Sequence, residues 1–268
     1  MWQTARVTET AVPAKADMVG KALWLLQALG EYPEGVQLAE LARRGGFPLS
    51  TAHRLAGSLV REGFATFEEP TRRYHLGLKL FALAARVSNA HGFAGAALPI
   101  LRDLAAATQE AALMSVLEGQ HQLYVHYVKG PQQVNVIGEP GRLGPLHNTS
   151  MGKVLVAFAP RELRAELLAT LPLDATGPNT ITAREKFAEE IDLVRQKGYA
   201  LADQEHETGI RAVGVPVLGP DGNALAAISI ASPTFRMSVE DCIDAVPLLT
   251  EAARNLALLL PRRDATPN

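Results

Sequence analysis

The chain has a single cysteine, Cys242, among its 268 residues. An internal disulfide is therefore excluded, which fits a reducing cytoplasm. Cys242 sits in an apolar helical pattern and reads as a buried bystander rather than a reactive thiol. No apolar run approaches the roughly 20 residues that a membrane-spanning helix requires. The opening stretch, "MWQTARVTETAVPAKAD", lacks an apolar h-region, so it reads as a flexible arm and not as a signal peptide. Excess charge is missing as well. A net charge of −2 excludes a wholesale basic surface, so any contact with nucleic acid must come from a local patch. There is no internal repeat and no low-complexity tract. What remains is an ordinary soluble globular composition, 47% hydrophobic and 20% charged, in a chain long enough for one large domain or two smaller ones.

The first part of the chain reads as three short helices and a hairpin. "VGKALWLLQAL" (19–29) places Val19, Ala22, Leu23, Leu26 and Leu29 at helical spacing. "VQLAELARRGG" puts Leu38, Leu41 and Ala42 on one face and stops at Gly45-Gly46. "FPLSTAHRLAGSLVREG" opens with Pro48, where a missing N–H costs nothing, and closes with Gly63. Two alternating runs, Phe64–Phe67 and Arg73–Leu76, flank a proline-containing turn. These pieces are expected to close on a core of Leu23, Leu26, Leu38, Leu41, Leu55, Leu59, Phe64 and Leu76. The order helix, helix, glycine-bearing turn, helix and hairpin is that of a winged helix-turn-helix.

That order gives the polar face of the third helix a function. In such docking the start of the second motif helix reaches base edges in the major groove, and the first helix and wing touch phosphates. Ser50 and Thr51 can donate to a phosphate or base, and His53 and Arg54 have the reach for base edges. Arg43 and Arg44 flank the turn, and Arg72 and Arg73 fall on the wing. Residues 19–77 hold seven Lys/Arg against six Asp/Glu, so the domain is nearly neutral and its positive charge is concentrated, not abundant.

"LKLFALAARVSNA" (78–90) reads as a connecting helix. Beyond it "AALPILRDLAAATQEAA" is helical, and "ALMSVLEGQHQLYVHYVKG" gives two strands about Gly119-Gln120. An extended "QVNVIG" (133–138), a helix at 150–159, a polar helix at 183–198 and a strand at Tyr199–Asp203 follow. A hairpin at 211–232 turns at Pro220-Asp221-Gly222, and a last helix spans about Val239 to Leu260. Strands mixed with flanking helices imply an α+β domain with a largely antiparallel sheet. In "HNTSMGKVLVAF", Thr149 or Ser150 caps a helix whose first N–H groups are free, and such an end attracts an anion. Tyr124 and His126 share a strand face, either lining a pocket or simply packed. His147 precedes that capped helix and can meet a ligand or only a backbone carbonyl. His121 and His126 are poorly placed as zinc ligands. Asp203, Glu205, His206 and Glu207 look like an acid/base or metal cluster, but their loop position favours a solvated turn or a contact between domains or subunits. No metal and no cofactor is expected.

Across nearly its whole length the sequence resembles the IclR family of bacterial transcriptional regulators. The resemblance is carried by "KALWLLQALGEYPEGVQLAELARRGGFPLSTAHRLAGSLVREGF", "RRYHLGLKLF", "PLHNTSMGKVLVAF", "KGYALADQEHETGIRAVGVPV" and "AAISIASPTFRM". It implies an arm (1–18), a winged helix-turn-helix (19–77), a linker helix (78–91), a GAF-like effector-binding domain (92–262) and a tail (263–268). It also implies homodimers or tetramers on palindromic double-stranded DNA, and a small-molecule effector. Ser150 and Met151 carry over as pocket positions, and Ser229 as a serine that hydrogen-bonds a carboxylate. Members that bind small keto acids typically have an acidic residue, a cysteine and a second serine where this chain has Ala202, Ala212 and Ala231. The triple alanine implies a larger or less polar effector, an aromatic or aliphatic acid, controlling a catabolic operon as repressor or activator. The rival reading is a hydrolase with Ser150 as nucleophile, but there is no G-x-S-x-G elbow and no histidine recognisably placed to activate that serine.

Overall fold

The computed structural model describes residues 17–90 and 93–260. Most of the expected arm, the tail from 263 and the last residue of the expected linker, His91, lie outside them. The chain divides into two compact units between Val87 and Ser88.

The first unit holds α1 (Met18–Leu29), β1 (Val36–Gln37), α2 (Leu38–Gly45), α3 (Leu49–Arg61), β2 (Ala65–Glu68) and β3 (Arg73–Leu76), and α4 (Lys79–Ala90) begins in it. β2 and β3 pair antiparallel with Thr66 opposite His75, and β1 adds a third strand on the far side of β3. Gly46 ends α2 in the left-handed region at φ 64°, a conformation that suits glycine. The core is Trp24, Leu25, Ala28, Leu29, Val36, Leu38, Leu41, Ala42, Phe47, Ala52, Leu55, Ala56 and Ala65.

That core corrects the expected face of α1. Leu23 is 55% exposed and Leu76 is 44% exposed, whereas Trp24 and Leu25 are buried. The helix is apolar on almost every side, so spacing alone offers no polar face to fix its rotation. Aromatic packing fixes it instead: Trp24 meets Phe47 edge-on at 5.7 Å between ring centroids.

The second unit is a six-stranded antiparallel sheet with helices on both faces. It runs through α5 (Phe93–Thr108), β4 (Ala111–Glu118), β5 (His121–Val128), β6 (Leu143–Gly144), α6 (Ser150–Ala157), α7 (Arg161–Thr170), α8 (Arg184–Lys197), β7 (Ala200–Asp203), β8 (Ile210–Leu218), β9 (Ala224–Pro233), α9 (Val239–Asp244) and α10 (Val246–Leu259). The strand order is β6-β5-β4-β9-β8-β7. Alternation along the strands sorts the two cores. Met114, Val213, Val215, Ile228 and Ile230 pack with Leu101, Leu249 and Leu256 of α5 and α10. Leu113, Ala227 and Ala231 pack with Val154, Leu167 and Phe187 of α6, α7 and α8.

Four details depart from the sequence reading. Residues 133–138 form no strand, and the sheet edge is β6 instead. The helix α7 is additional, and the last helix is broken into α9 and α10 at Ala245. Helix α5 ends at Thr108, so Ala111 and Ala112 already belong to β4. The β8–β9 hairpin turns as its residues dictate: Gly222 takes φ 76°, and Asp221 accepts from the Asn223 backbone at 3.1 Å. Cys242 is fully buried, and desolvation pushes its thiol up to about 11, so it is a packing residue.

Candidate functional site

In the first unit, α3 buries Ala52, Leu55 and Ala56 and leaves Ser50, His53 and Arg54 exposed, with Thr51 half-buried. A Cβ added at Gly57 would meet nothing within 4 Å, so this glycine leaves the outer face of the helix flat without any packing need. The Arg54 guanidinium meets Met18 Sδ at 3.4 Å.

The flanking arginines divide by what holds them. Arg43 is exposed and donates to both carboxylate oxygens of Glu40, at 2.6 and 2.8 Å. Arg72 sits at the wing tip over the Phe67 ring, 5.4 Å from its centroid, and faces Glu69. Arg44 turns inward: it pairs with Glu31 at 2.5 Å and only 19% of its side chain is exposed. Arg73 donates to the backbone carbonyls of Gly35 and Glu34, at 2.7 and 3.3 Å, and so straps the wing to the loop before β1. Arg44 and Arg73 are therefore occupied in holding the domain together.

In the second unit a cavity of about 180 Å³ opens at the start of α6. Ser150, Met151, Ser229, Ala202, Ala212, Ala231 and Tyr124 all line it. His147 does not. Its Nε2 lies 3.0 Å from the Asp174 carbonyl, which can only accept, so that nitrogen carries the proton and the ring serves the backbone. Burial holds its pKa below the ordinary range.

Local sequence explains why the helix begins there. Thr149 is the N-cap: its Oγ1 accepts from Gly152 N at 3.0 Å and donates to the Pro145 carbonyl at 3.1 Å. Beneath it Gln122 donates to Thr149 Oγ1 at 2.7 Å and to the Pro145 carbonyl at 3.1 Å, and accepts from Ser115 at 2.9 Å. Two glycines permit the approach. A Cβ on Gly152 would lie 2.4 Å from the Leu146 carbonyl oxygen, and one on Gly214 would lie 3.2 Å from Met151 N. The helix start therefore rests on β8, with Ser150 and Met151 lining the cavity, and the partial positive charge of a helix start favours an anion.

Several wall residues escaped sequence reasoning. Asn148, Arg142, Glu139, His206, Glu207, Leu113, Val136 and Ile210 also line the cavity. The 203–207 loop is thus not simply a solvated turn. Asp203 pairs with Arg211 at 2.9 Å, and Glu205 is buried against Lys153. His206 and Glu207 reach the cavity mouth, where desolvation is the main cause of a lowered His206 pKa. Among the described residues no group of three or more His, Cys, Asp or Glu could hold a metal ion. None of their helices is long and apolar enough to cross a membrane.

Both units meet their counterparts in known proteins. Residues 18–69 match the IclR helix-turn-helix domain, and residues 85–258 match the bacterial transcriptional regulator IclR C-terminal domain. The chain belongs to the IclR family of bacterial transcriptional regulators. The regulator KdgR of Dickeya chrysanthemi is 34% identical over 245 residues, covering 91% of this chain and 80% of that one. The p-hydroxybenzoate hydroxylase transcriptional activator of Acinetobacter baylyi is 31% identical over 248 residues, covering 90% and 91%. Among solved structures, an IclR homologue from Microbacterium hydrocarbonoxydans complexed with 4-hydroxybenzoate superposes with a TM-score of 0.77 at 25% identity, covering 91% and 98%. For an IclR regulator the winged helix-turn-helix and the α+β second unit are the expected parts, and both are present.

Proposed function

We propose that this IclR regulator senses an organic acid in the cavity at the start of α6 and thereby changes its hold on operator DNA. One observation carries the reading: a capped helix start, free of acidic residues in its first turn, opens into a cavity whose sheet side is Ala202, Ala212 and Ala231. The helix end attracts a carboxylate. The alanines supply apolar room, which favours an aromatic or aliphatic body over a small keto acid. The 4-hydroxybenzoate bound by the Microbacterium homologue and the name of the Acinetobacter relative support an aromatic acid.

On the DNA side, Ser50, Thr51, His53 and Arg54 enter the major groove, and Arg43 and Arg72 contact phosphates. The protein acts in the cytoplasm as a homodimer or tetramer on a palindromic operator controlling a catabolic operon. Calorimetry of the full chain against a panel of small acids tests the sensing half. Heat from benzoate-sized or aliphatic acids supports it, and tight glyoxylate or pyruvate binding with silence from bulkier acids rejects it. Genomic DNA captured by the protein, read by sequencing, tests the other half.

A further inference from the structure

Among the described residues, one polar side-chain atom of the cavity wall is left unmatched. Asn148 is fully buried, lines the cavity immediately before the α6 cap, and its Oδ1 has no hydrogen-bond partner among the described residues. Its other edge is occupied: Nδ2 donates to Thr176 Oγ1 at 2.7 Å.

The orientation of this amide is settled by what surrounds Thr176. The Thr176 hydroxyl faces the His206 carbonyl at 2.9 Å and the Glu205 carbonyl at 3.2 Å. Carbonyls only accept, and a hydroxyl has one proton, so Thr176 must donate toward that pair and accept from Asn148. Turning the amide over would set Asn148 Oδ1 against an oxygen with no proton left to give. Asn148, a lining residue of the cavity, is therefore held with Nδ2 engaged and Oδ1 left to accept.

We propose that the effector is a hydroxy acid, its carboxylate at the first N–H groups of α6 and a hydroxyl on a nearby carbon donating to Asn148 Oδ1. This rests on the effector reading above and narrows it. Asn148 stands two residues before Ser150, consecutive Cα atoms are ~3.8 Å apart, and both residues line the same cavity, so one small ligand spans the two. A hydroxyl on carbon 2 or 3 fits that span. A 2-oxo acid presents an acceptor to an acceptor, and an unsubstituted acid leaves the amide oxygen unpaired. Sites with a committed polar partner discriminate strongly against ligands that lack the matching group.

Three acids of one shape separate the possibilities: mandelate (both enantiomers), phenylglyoxylate and phenylacetate, titrated calorimetrically into the full-length protein. One mandelate enantiomer is expected to bind at least about tenfold tighter than either analogue. Asn148→Leu is expected to bring mandelate down to the phenylacetate level while phenylacetate itself changes little. Thr176→Val releases the amide to turn over, so phenylglyoxylate should gain on mandelate, a reversal that a purely structural role would not produce. This second variant decides the matter if Asn148→Leu does not fold. Mandelate and phenylacetate binding the parent equally would overturn the hydroxyl requirement and leave the acid-sensing reading intact. Absence of binding by all three, with no heat from the aliphatic acids of the wider panel either, would overturn the acid-sensing reading itself.

Discussion

Lys153 Nζ lies 2.6 Å from Glu205 Oε1, with both side chains buried, and so ties the pocket helix to the loop that carries His206 and Glu207. The ammonium also meets Glu190 at 2.9 Å and the Leu201 carbonyl at 3.0 Å, which uses all three of its donors. Burial pushes the Glu205 carboxyl above its ordinary pKa while Lys153 pulls it back. Removing one partner of a buried pair strands the other, at a typical cost of about 3–5 kcal/mol. Lys153→Met is therefore expected to lower the urea midpoint sharply, and adding Glu205→Gln should recover part of the loss. An unchanged midpoint for Lys153→Met would show that the pair does not hold the site.

Gly152 permits the tight turn before α6. In Gly152→Ala the new methyl carbon would lie 2.4 Å from the Leu146 carbonyl oxygen and 2.6 Å from the capping Thr149 Oγ1. Overpacking of this kind typically costs about 1–3 kcal/mol. The variant should melt earlier and bind acids more weakly than the parent, as differential scanning fluorimetry with and without ligand would show.

The arginines of the first unit should separate into three behaviours. Arg54→Ala is expected to lose about 1–3 kcal/mol on the operator alone. Arg43→Ala should weaken binding to every sequence and reduce the slope of affinity against salt. Arg44→Ala should instead lower stability, because it releases the ion pair with Glu31. Gel shifts across a salt series, paired with melting curves, distinguish the three; Arg54→Ala binding like the parent would remove α3 from the groove.

Acid should destabilise the second unit through its histidines. His147 and His206 both titrate below their ordinary value of 6.5, chiefly because burial disfavours the charged ring. On acidification the unfolded chain takes up these protons first, so stability is complete above pH 6.5 and is lost as pH falls toward the folded-state values. Urea midpoints between about pH 8 and pH 5 should fall on the acid side, and His147→Gln should flatten that fall.

The helix-turn-helix was legible because helix periodicity, Gly46 and Gly63 all point the same way, and α3 buries Ala52, Leu55 and Ala56 as its pattern requires. Rotation of α1 was not, since an almost uniformly apolar helix carries no polar stripe and its orientation depends on a distant ring, Phe47. In the cavity, the α6 cap and the alanines could be found from the local sequence and the family resemblance. Asn148, Arg142 and Glu207 could not, because each reaches the wall through loops whose path depends on tertiary contacts. Lys153 is the sharpest example: a lysine within an apolar helical run reads as a solvated position, and only the fold brings Glu190 and Glu205 to meet it.

Coupling between the cavity and DNA is measured most directly by fluorescence anisotropy of labelled DNA from upstream of the protein's own gene, titrated with full-length protein with and without saturating mandelate. The expected result is a change in DNA affinity of about fivefold or more in either direction, abolished by Met151→Trp, which fills the cavity, with DNA binding itself retained. Identical affinities with and without an acid that calorimetry shows to be bound would contradict the regulator proposed here.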